Sequence, residues 1–160
     1  MSSCLFSYNL GTLIDRRAKD IITRARVARL ATVDCYNQPY VIPVVFVFDG
    51  AYFFIPLDRK TKTVTPGELR RVKNIEKNAQ VALIIDKYTE AWEKLWFIMI
   101  MGQAGIIENK DQIALLKEIH KMLITKYPQY KSLGMGESCI KIQPLKVTSW
   151  KNAMDTVQHQ

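Results

Sequence analysis

Residues 26–56 have the sequence RVARLATVDCYNQPYVIPVVFVFDGAYFFIP, which predicts three consecutive β-strands joined by two tight turns. Valine, isoleucine, phenylalanine and tyrosine fill the strands, while Asn37 and the Asp49-Gly50 pair stand where a turn requires a positive φ. The predicted strands are residues 27–33, 39–48 and 51–56. The second strand is apolar almost without interruption, so it should be covered on both faces, as in a barrel or an oligomer core.

The rest of the chain predicts more strands at the centre and helices outside them. Three further strands are expected at residues 81–86, 97–107 and 138–150. Amphipathic helices are expected at residues 12–24, 66–78 and 109–127. A helical turn should place Trp92 and Trp96 on one face, and Gly102 and Gly105 suit a bulge or a close approach. The fold class predicted is mainly β (α+β), a six-stranded antiparallel barrel with flanking helices.

Length favours one domain covering residues 1–160, with a helix inside residues 1–26 and a tail at residues 153–160. No segment is apolar for long enough to cross a membrane, and no secretory signal is visible. The three cysteines, at positions 4, 35 and 139, are too widely spaced for a disulfide framework or a metal cluster. The expected location is cytoplasmic.

The chain is basic, with 23 lysines and arginines against 15 acidic residues and a net charge of +8. This balance suits anionic partners, namely nucleic acid, a phosphorylated cofactor or an acidic metabolite, although it also serves solubility alone. A nucleic-acid surface would interleave exposed aromatic residues with lysine and arginine along one strand face. Here the strands are apolar and the charges lie on predicted helices and loops, which disfavours nucleic acid.

Sequence motifs for independent catalysis are absent. There is no G-x-S-x-G, H-E-x-x-H, G-x-x-x-x-G-K-[ST] or G-x-G-x-x-G motif. Two scattered histidines do not make a metal site, and Cys35 stands in a turn without a nearby histidine. No catalytic residue and no metal ligand is therefore predicted. If the protein is an enzyme, a cofactor carries its chemistry and the chain orients that cofactor.

Three segments carry a resemblance to a known family: ARLATVD, then PVVFVFDGAYFFIPLDRKTK with its K-x-K, then the tryptophan-rich segment around residues 88–96. Together they resemble the flavin-binding split-barrel family typified by pyridoxamine 5'-phosphate oxidase, and within it the oxidoreductase subgroup that uses FMN or a deazaflavin coenzyme. The resemblance covers residues 27–150. It implies a split β-barrel that forms a homodimer, with the cofactor in a cleft built from both chains and a small-molecule substrate stacked over it.

The resemblance also implies which positions bind the cofactor. Strand residues should approach it, with the Thr32 hydroxyl near its phosphate or ribityl end; these residues are Leu30, Ala31, Thr32, Val44, Val45 and Phe46. The loop residues Lys60, Thr61 and Lys62 should hold the phosphate. Trp92, Trp96 and Trp150 are candidates for packing around the ring. From the residues alone, the cationic loop suits either a phosphate or solvent, and the tryptophans suit either a cofactor or the core.

The resemblance has gaps that limit the function it implies. The C-terminal Arg-x-His segment that binds substrate in pyridoxamine 5'-phosphate oxidase itself is missing, so vitamin B6 oxidation is not expected. FMN is the expected cofactor, because its pocket needs only the strands and the loop at residues 60–62. Two alternatives stay open: a deazaflavin-dependent reductase, whose longer anion could be served by Arg16, Arg17, Arg24 and Arg26, and a non-catalytic flavin- or haem-binding carrier or sensor.

Overall fold

The computed structural model describes residues 13–57, 66–108, 112–134 and 136–151. Its helices are α1 (Arg16–Arg24), α2 (Arg70–Lys77), α3 (Ile113–Lys126) and α4 (Tyr130–Leu133). Its strands are β1 (Ala28–Val33), β2 (Pro39–Val44), β3 (Val47–Phe48), β4 (Phe53–Pro56), β5 (Gln80–Lys87), β6 (Trp96–Glu108) and β7 (Ser138–Lys151). Two 3-10 turns stand at Pro66–Glu68 and Trp92–Lys94.

The strands form one antiparallel sheet in the order β2-β1-β5-β6-β7-β4-β3. Strands β2 and β3 lie at opposite edges of this sheet, although only Val45 and Phe46 separate them in the chain. Two residues can connect opposite edges of a sheet only if the sheet curls until those edges are close together, as in a barrel. The predicted mainly β fold, an antiparallel barrel with flanking helices, is confirmed.

The number of strands differs from the prediction, because the described sheet has seven strands rather than six. Residues 39–48 were expected to form one strand, but the chain leaves the β1 edge after Val44 and crosses to the opposite edge. At the crossing the Phe46 N–H donates to the Tyr127 hydroxyl at 3.2 Å, and that hydroxyl lies 2.9 Å from the Phe46 carbonyl oxygen. The Tyr127 side chain, 81 residues further along the chain, thus takes the place of a neighbouring strand as the hydrogen-bond partner of Phe46.

Two hydrophobic clusters stabilise the described fold. The larger one fills the curled sheet and is closed by the buried faces of α1 and α2, including Ile22 and Ile75. The smaller one lies between α3 and strands β3, β4 and β7, where Leu123 and Phe54 are buried. Each such side chain contributes about 1.5–3 kcal/mol when it is removed from water. The flanking helices therefore cover the apolar side chains of these two clusters.

Short polar side chains build the turns as the sequence predicts. Asn37 has φ 62° and Gly50 has φ 102°, both in the left-handed region. The Asp34 carboxylate accepts hydrogen bonds from the Tyr36 and Gln38 N–H groups, each at 2.9 Å. The Asp15 carboxylate caps α1 by accepting from the Ala18 N–H at 2.7 Å.

None of the helices within the described ranges is both long and apolar enough to cross a membrane.

Candidate functional site

The predicted positions on β1 point to both sides of the sheet. Leu30 and Thr32 face the barrel interior, where Thr32 is only 1% exposed, whereas Ala31 faces outward. The Thr32 hydroxyl accepts a hydrogen bond from the buried Asn74 side-chain amide at 2.9 Å. This bond ties β1 to α2 and satisfies two buried polar groups. A contact between this hydroxyl and a cofactor stays a prediction.

The second predicted group lies at the crossing between β2 and β3. Val44 and Phe46 are buried, and Val45 is half-buried. The main-chain N–H and carbonyl oxygen of Phe46, a residue expected to approach the cofactor, are both hydrogen-bonded to the Tyr127 hydroxyl. The Lys126 ammonium lies 3.9 Å from the Phe46 ring centroid. In one copy of the chain, this crossing is a buried junction between the sheet and α3.

The predicted phosphate-binding residues Lys60, Thr61 and Lys62 lie outside the described residues. The last described residue before them is Leu57, whose N–H donates to the Ser138 carbonyl oxygen at 3.2 Å. Leu57 is therefore beside the first residue of β7.

Trp96 and Trp150 lie near each other in the sheet, where β6 begins and β7 ends, but their side chains are on opposite faces. Trp96 pairs with Lys151, and Phe97 pairs with Trp150, in the antiparallel register of the two strands. The Phe97 and Trp150 rings are stacked, with centroids 5.9 Å apart and planes 20° apart. We call Phe97 and Trp150, which share the outer face of the sheet, the aromatic wall; Trp96 packs against the interior cluster instead. Phe97 was not predicted as a site residue, although its place directly after Trp96 at a strand start was visible.

A helical turn is present at this point, as a short 3-10 turn, but the prediction that Trp92 and Trp96 share one face is wrong. Residues 92–94 form a 3-10 turn, Leu95 is extended, and Trp96 begins β6. The Trp92 side chain is 61% exposed. The i, i+4 spacing brings side chains together only in an α-helix, and the chain leaves helical geometry before one turn is complete.

Two cavities lie at this end of the strands, on opposite sides of the sheet. The first, here the α1 cavity, has a volume of about 470 Å³ and lies between α1, the start of β6 and the end of β7. The second, here the sheet cavity, has a volume of about 320 Å³ and is lined by Arg29, Ile84, Asp86 and Tyr88 besides the wall. Arg29 and Asp86 form an ion pair there. Both volumes are in the range of small-molecule sites.

An apolar surface lies beside the sheet cavity. The strand registers place Val41, Ala31, Ala82 and Met101 in one row across β2, β1, β5 and β6. Ile84 and Met99 pair in the neighbouring row. Val41 is 58% exposed and Met101 is 47% exposed. We call these six residues the outer apolar face; in the described chain it is covered by no helix, and an exposed patch of this kind is typical of an interaction surface.

Acid–base and metal chemistry find little support in the described residues. Burial raises the pKa of the Cys139 thiol to about 12, so this group stays protonated at neutral pH. Cys35 is exposed in a turn. No group of three or more histidine, cysteine, aspartate or glutamate side chains within the described ranges is arranged to hold a metal ion. What the geometry offers is flat aromatic surface, apolar surface and two cavities.

The family comparison covers this whole arrangement. A model of the family described as pyridoxamine 5'-phosphate oxidase matches residues 14–151. The chain belongs to the pyridoxamine 5'-phosphate oxidase family. The matched range includes the outer apolar face, the aromatic wall and every predicted cofactor-binding position. A comparison with curated proteins found no match.

Solved structures similar to this family member share its fold over most of their length. HutZ, the haem storage protein from Vibrio cholerae, has a TM-score of 0.65 and 16% identity, covering 86% of this chain and 94% of that one. A FAD-binding protein from Mesorhizobium loti has a TM-score of 0.65 and 14% identity, with the same coverage of 86% and 94%. An F420 reductase has a TM-score of 0.58 and 18% identity, covering 81% and 94%. At these identities the likeness concerns the fold alone.

Proposed function

We propose that this protein is a flavin-dependent oxidoreductase that binds FMN between two copies of the chain and exchanges a hydride with a small substrate. The observation that carries the proposal is the aromatic wall, because it stands at a cavity beside an uncovered apolar face. Flat aromatic and apolar side chains are the partners that an extended ring system needs. When bound, FMN supplies hydride transfer at its N5 atom.

A second copy of this chain is the proposed partner of the outer apolar face. Its six residues lie on the four neighbouring strands β2, β1, β5 and β6, so the surface spans much of the width of the sheet. Two identical copies can cover such a surface symmetrically, each protecting the other from water. The FMN ring would then lie in the sheet cavity at the edge of this interface, with water excluded from one of its sides.

The two ends of β7 support a site shared between copies. Ser138, beside Leu57, and Trp150 are separated by twelve positions on β7, or roughly 40 Å measured along this bulged strand. Lys60 is three residues beyond Leu57, so the chain lets it lie at most roughly 11 Å away. We therefore infer that the phosphate-binding loop and the aromatic wall of one site come from different copies.

Several of the predicted residues then have a role in binding. Lys60 and Lys62 neutralise the phosphate, and the Thr61 hydroxyl adds a hydrogen bond, because charge-assisted hydrogen bonds hold phosphates strongly. Ala31, on the outer face, borders the cleft. The aromatic wall holds the ring in place and excludes water. No residue is assigned as an acid or a base, so the contribution of the chain is orientation of substrate and cofactor.

Loss of the loop cations is expected to abolish tight FMN binding. The variant Lys60→Ala/Lys62→Ala should bind FMN at least tenfold more weakly than the unmodified protein, about 1.4 kcal/mol per factor of ten. Titration followed by flavin fluorescence measures this. The matched control is Lys117→Ala/Lys121→Ala, which removes two exposed cations from α3. Equal weakening in both variants would show general charge attraction and contradict the assigned phosphate site.

Mixing two defective variants tests whether the site is shared. Lys60→Ala/Lys62→Ala and Trp150→Ala should each lose FMN binding alone. After mixing and subunit exchange, mixed dimers should regain one complete site, so about a quarter of all sites should bind FMN. If mixing restores nothing while co-purification with an affinity-tagged copy of one variant shows that exchange has occurred, both halves of the site belong to one copy, and the shared arrangement is wrong.

The absorbance spectrum of the protein purified from cells separates the alternatives. HutZ is described as a haem storage protein and has the same fold, which supports a haem-binding carrier as the second candidate. The F420 reductase supports a deazaflavin coenzyme in the same way. A Soret band would favour haem, and a flavin or deazaflavin spectrum would identify the coenzyme. A protein that binds none of the three in titrations contradicts the proposed function.

A further inference from the structure

The α1 cavity is separate from the site proposed for FMN. It lies within one copy, between α1 and the paired ends of β6 and β7, and its volume of about 470 Å³ suits a molecule of one to three rings. We propose that it is a second binding site, which takes a planar aromatic molecule carrying a carboxylate or another anionic group.

Flat apolar surfaces line two sides of this cavity. Ala18 and Ile21 come from α1, and Trp96 and Ile98 come from the interior face of β6. Trp96 is half-buried and packs against the interior cluster that α1 closes. An aromatic ligand would place its own ring against the Trp96 indole and take the exposed part of that surface out of water. Such ring pairs contribute about 0.5–1.5 kcal/mol beyond their buried area.

The charges at the cavity specify an anion. Arg17 and Arg24 lie seven positions apart on α1, which places them on the same side of the helix, and Lys151 faces them from the end of β7. In the described part of the chain none of these three cations forms an ion pair. A guanidinium group suits a carboxylate because its N–H groups can donate in parallel to both oxygens.

The acidic residues at the cavity do not cancel this preference. Two carboxylates line it, Asp15 and Asp20, against the three cations. The Asp15 carboxylate accepts from the Ala18 N–H as the cap of α1, so its orientation is fixed by the helix. A neutral aromatic molecule would leave the three cations without a partner, whereas an aromatic carboxylate provides one. The site should therefore discriminate by charge.

Naphthalene-2-carboxylate is a suitable probe, and the uncharged naphthalene-2-carboxamide has nearly the same shape. Titration of the full chain by calorimetry, with quenching of tryptophan fluorescence as the second signal, should show the carboxylate binding about tenfold more tightly than the amide. Quenching is expected because Trp96 and Trp150 line the cavity. Equal affinity for the two probes, or no binding of the carboxylate, overturns the proposal.

Substitutions on α1 test whether the carboxylate binds in the α1 cavity. Arg17→Ala/Arg24→Ala should weaken binding of the carboxylate about tenfold or more, since both guanidinium groups are lost. The matched control is Arg16→Ala, which removes an exposed cation of α1 that does not line the cavity. Binding to this variant should stay within about twofold of the unmodified protein. Equal weakening by Arg16→Ala would indicate nonspecific attraction and reject the site.

FMN titrations keep this proposal distinct from the proposed function. Arg17→Ala/Arg24→Ala should bind FMN as the unmodified protein does, and Lys60→Ala/Lys62→Ala should still bind the naphthalene carboxylate. If the arginine variant loses FMN or dissociates into monomers, the α1 cavity belongs to the cofactor site or to the interface, and the second site is rejected. If the chain binds no flavin but the carboxylate results hold, the proposed function fails and the second site stands.

Discussion

The Gly102→Ala variant is expected to lose about 3 kcal/mol of folding free energy or more, measured by denaturant unfolding. A Cβ atom at position 102 would lie 2.3 Å from the Gln143 carbonyl oxygen and 3.0 Å from Ile142 Cγ2. The oxygen belongs to the backbone of the adjacent strand, so the clash cannot be relieved by rotating a side chain. Relief requires β6 and β7 to separate at the centre of the sheet.

The local register explains why the two strands approach so closely. Met101 pairs with Lys146 and Gly102 pairs with Pro144, so Leu145 is an extra residue that bulges β7. The control is Gly105→Ala on the same strand, where a Cβ atom would meet no heavy atom within 4 Å. That variant should change stability by less than about 0.5 kcal/mol. Similar losses for both variants would show that strand preference, and not the clash, controls stability.

These two glycines show what the sequence can predict about the fold and what it cannot. Both were expected to mark a bulge or a close approach, but only Gly102 has a backbone against it. The difference is set by the partner strand, 41 residues further along the chain at Gln143, which no local pattern reveals. The turns at Asn37 and Gly50 were predictable, because a positive φ is required by the turn itself.

The same distinction applies to the candidate site. The aromatic wall depends on the pairing of Phe97 with Trp150, which neither segment reveals alone, so Trp96 and Trp150 could be grouped only through the family resemblance. The burial of Thr32 could be predicted from the sequence, because Ala28, Leu30 and Thr32 are every second residue of β1 and therefore lie on the same face of the sheet. The cofactor contacts of the predicted positions, including those at residues 60–62, stay predictions.

Replacing Lys126 with methionine is expected to stabilise the protein by about 2 kcal/mol at pH 7, an unusual sign for a core substitution. Burial, aided by the nearby Arg26, lowers the pKa of Lys126 from 10.5 to about 8. Its Nζ has no hydrogen-bond partner in the described chain. The Phe46 ring, 3.9 Å away, offsets only part of the lost hydration. At about 1.4 kcal/mol per pKa unit, full desolvation would cost about 3 kcal/mol, which partial solvent access reduces.

The pH dependence tests this cause directly. Between pH 8 and 10.5 the unfolded chain keeps the Lys126 proton while the folded protein releases it, so the charge penalty is largest below pH 8 and fades as the pH rises. The stability advantage of Lys126→Met over the unmodified protein should therefore shrink by about 1 kcal/mol between pH 7 and pH 9. The pKa of the Cys139 thiol is raised to about 12, so its contribution to stability changes with pH in the opposite direction. Both proteins contain Cys139, so this contribution cancels when the stability of one is subtracted from that of the other.

Lys121→Met is the matched control for this substitution, since Lys121 is an exposed lysine of the same helix. Its Nζ lies 2.8 Å from the Glu118 carboxylate, and both side chains are more than half exposed. Loss of such a pair should cost less than about 0.5 kcal/mol and should not depend on pH in this range. An advantage of Lys126→Met that is equal at pH 7 and pH 9 would mean that methionine only packs better. Burial of the ammonium charge would then not be the cause.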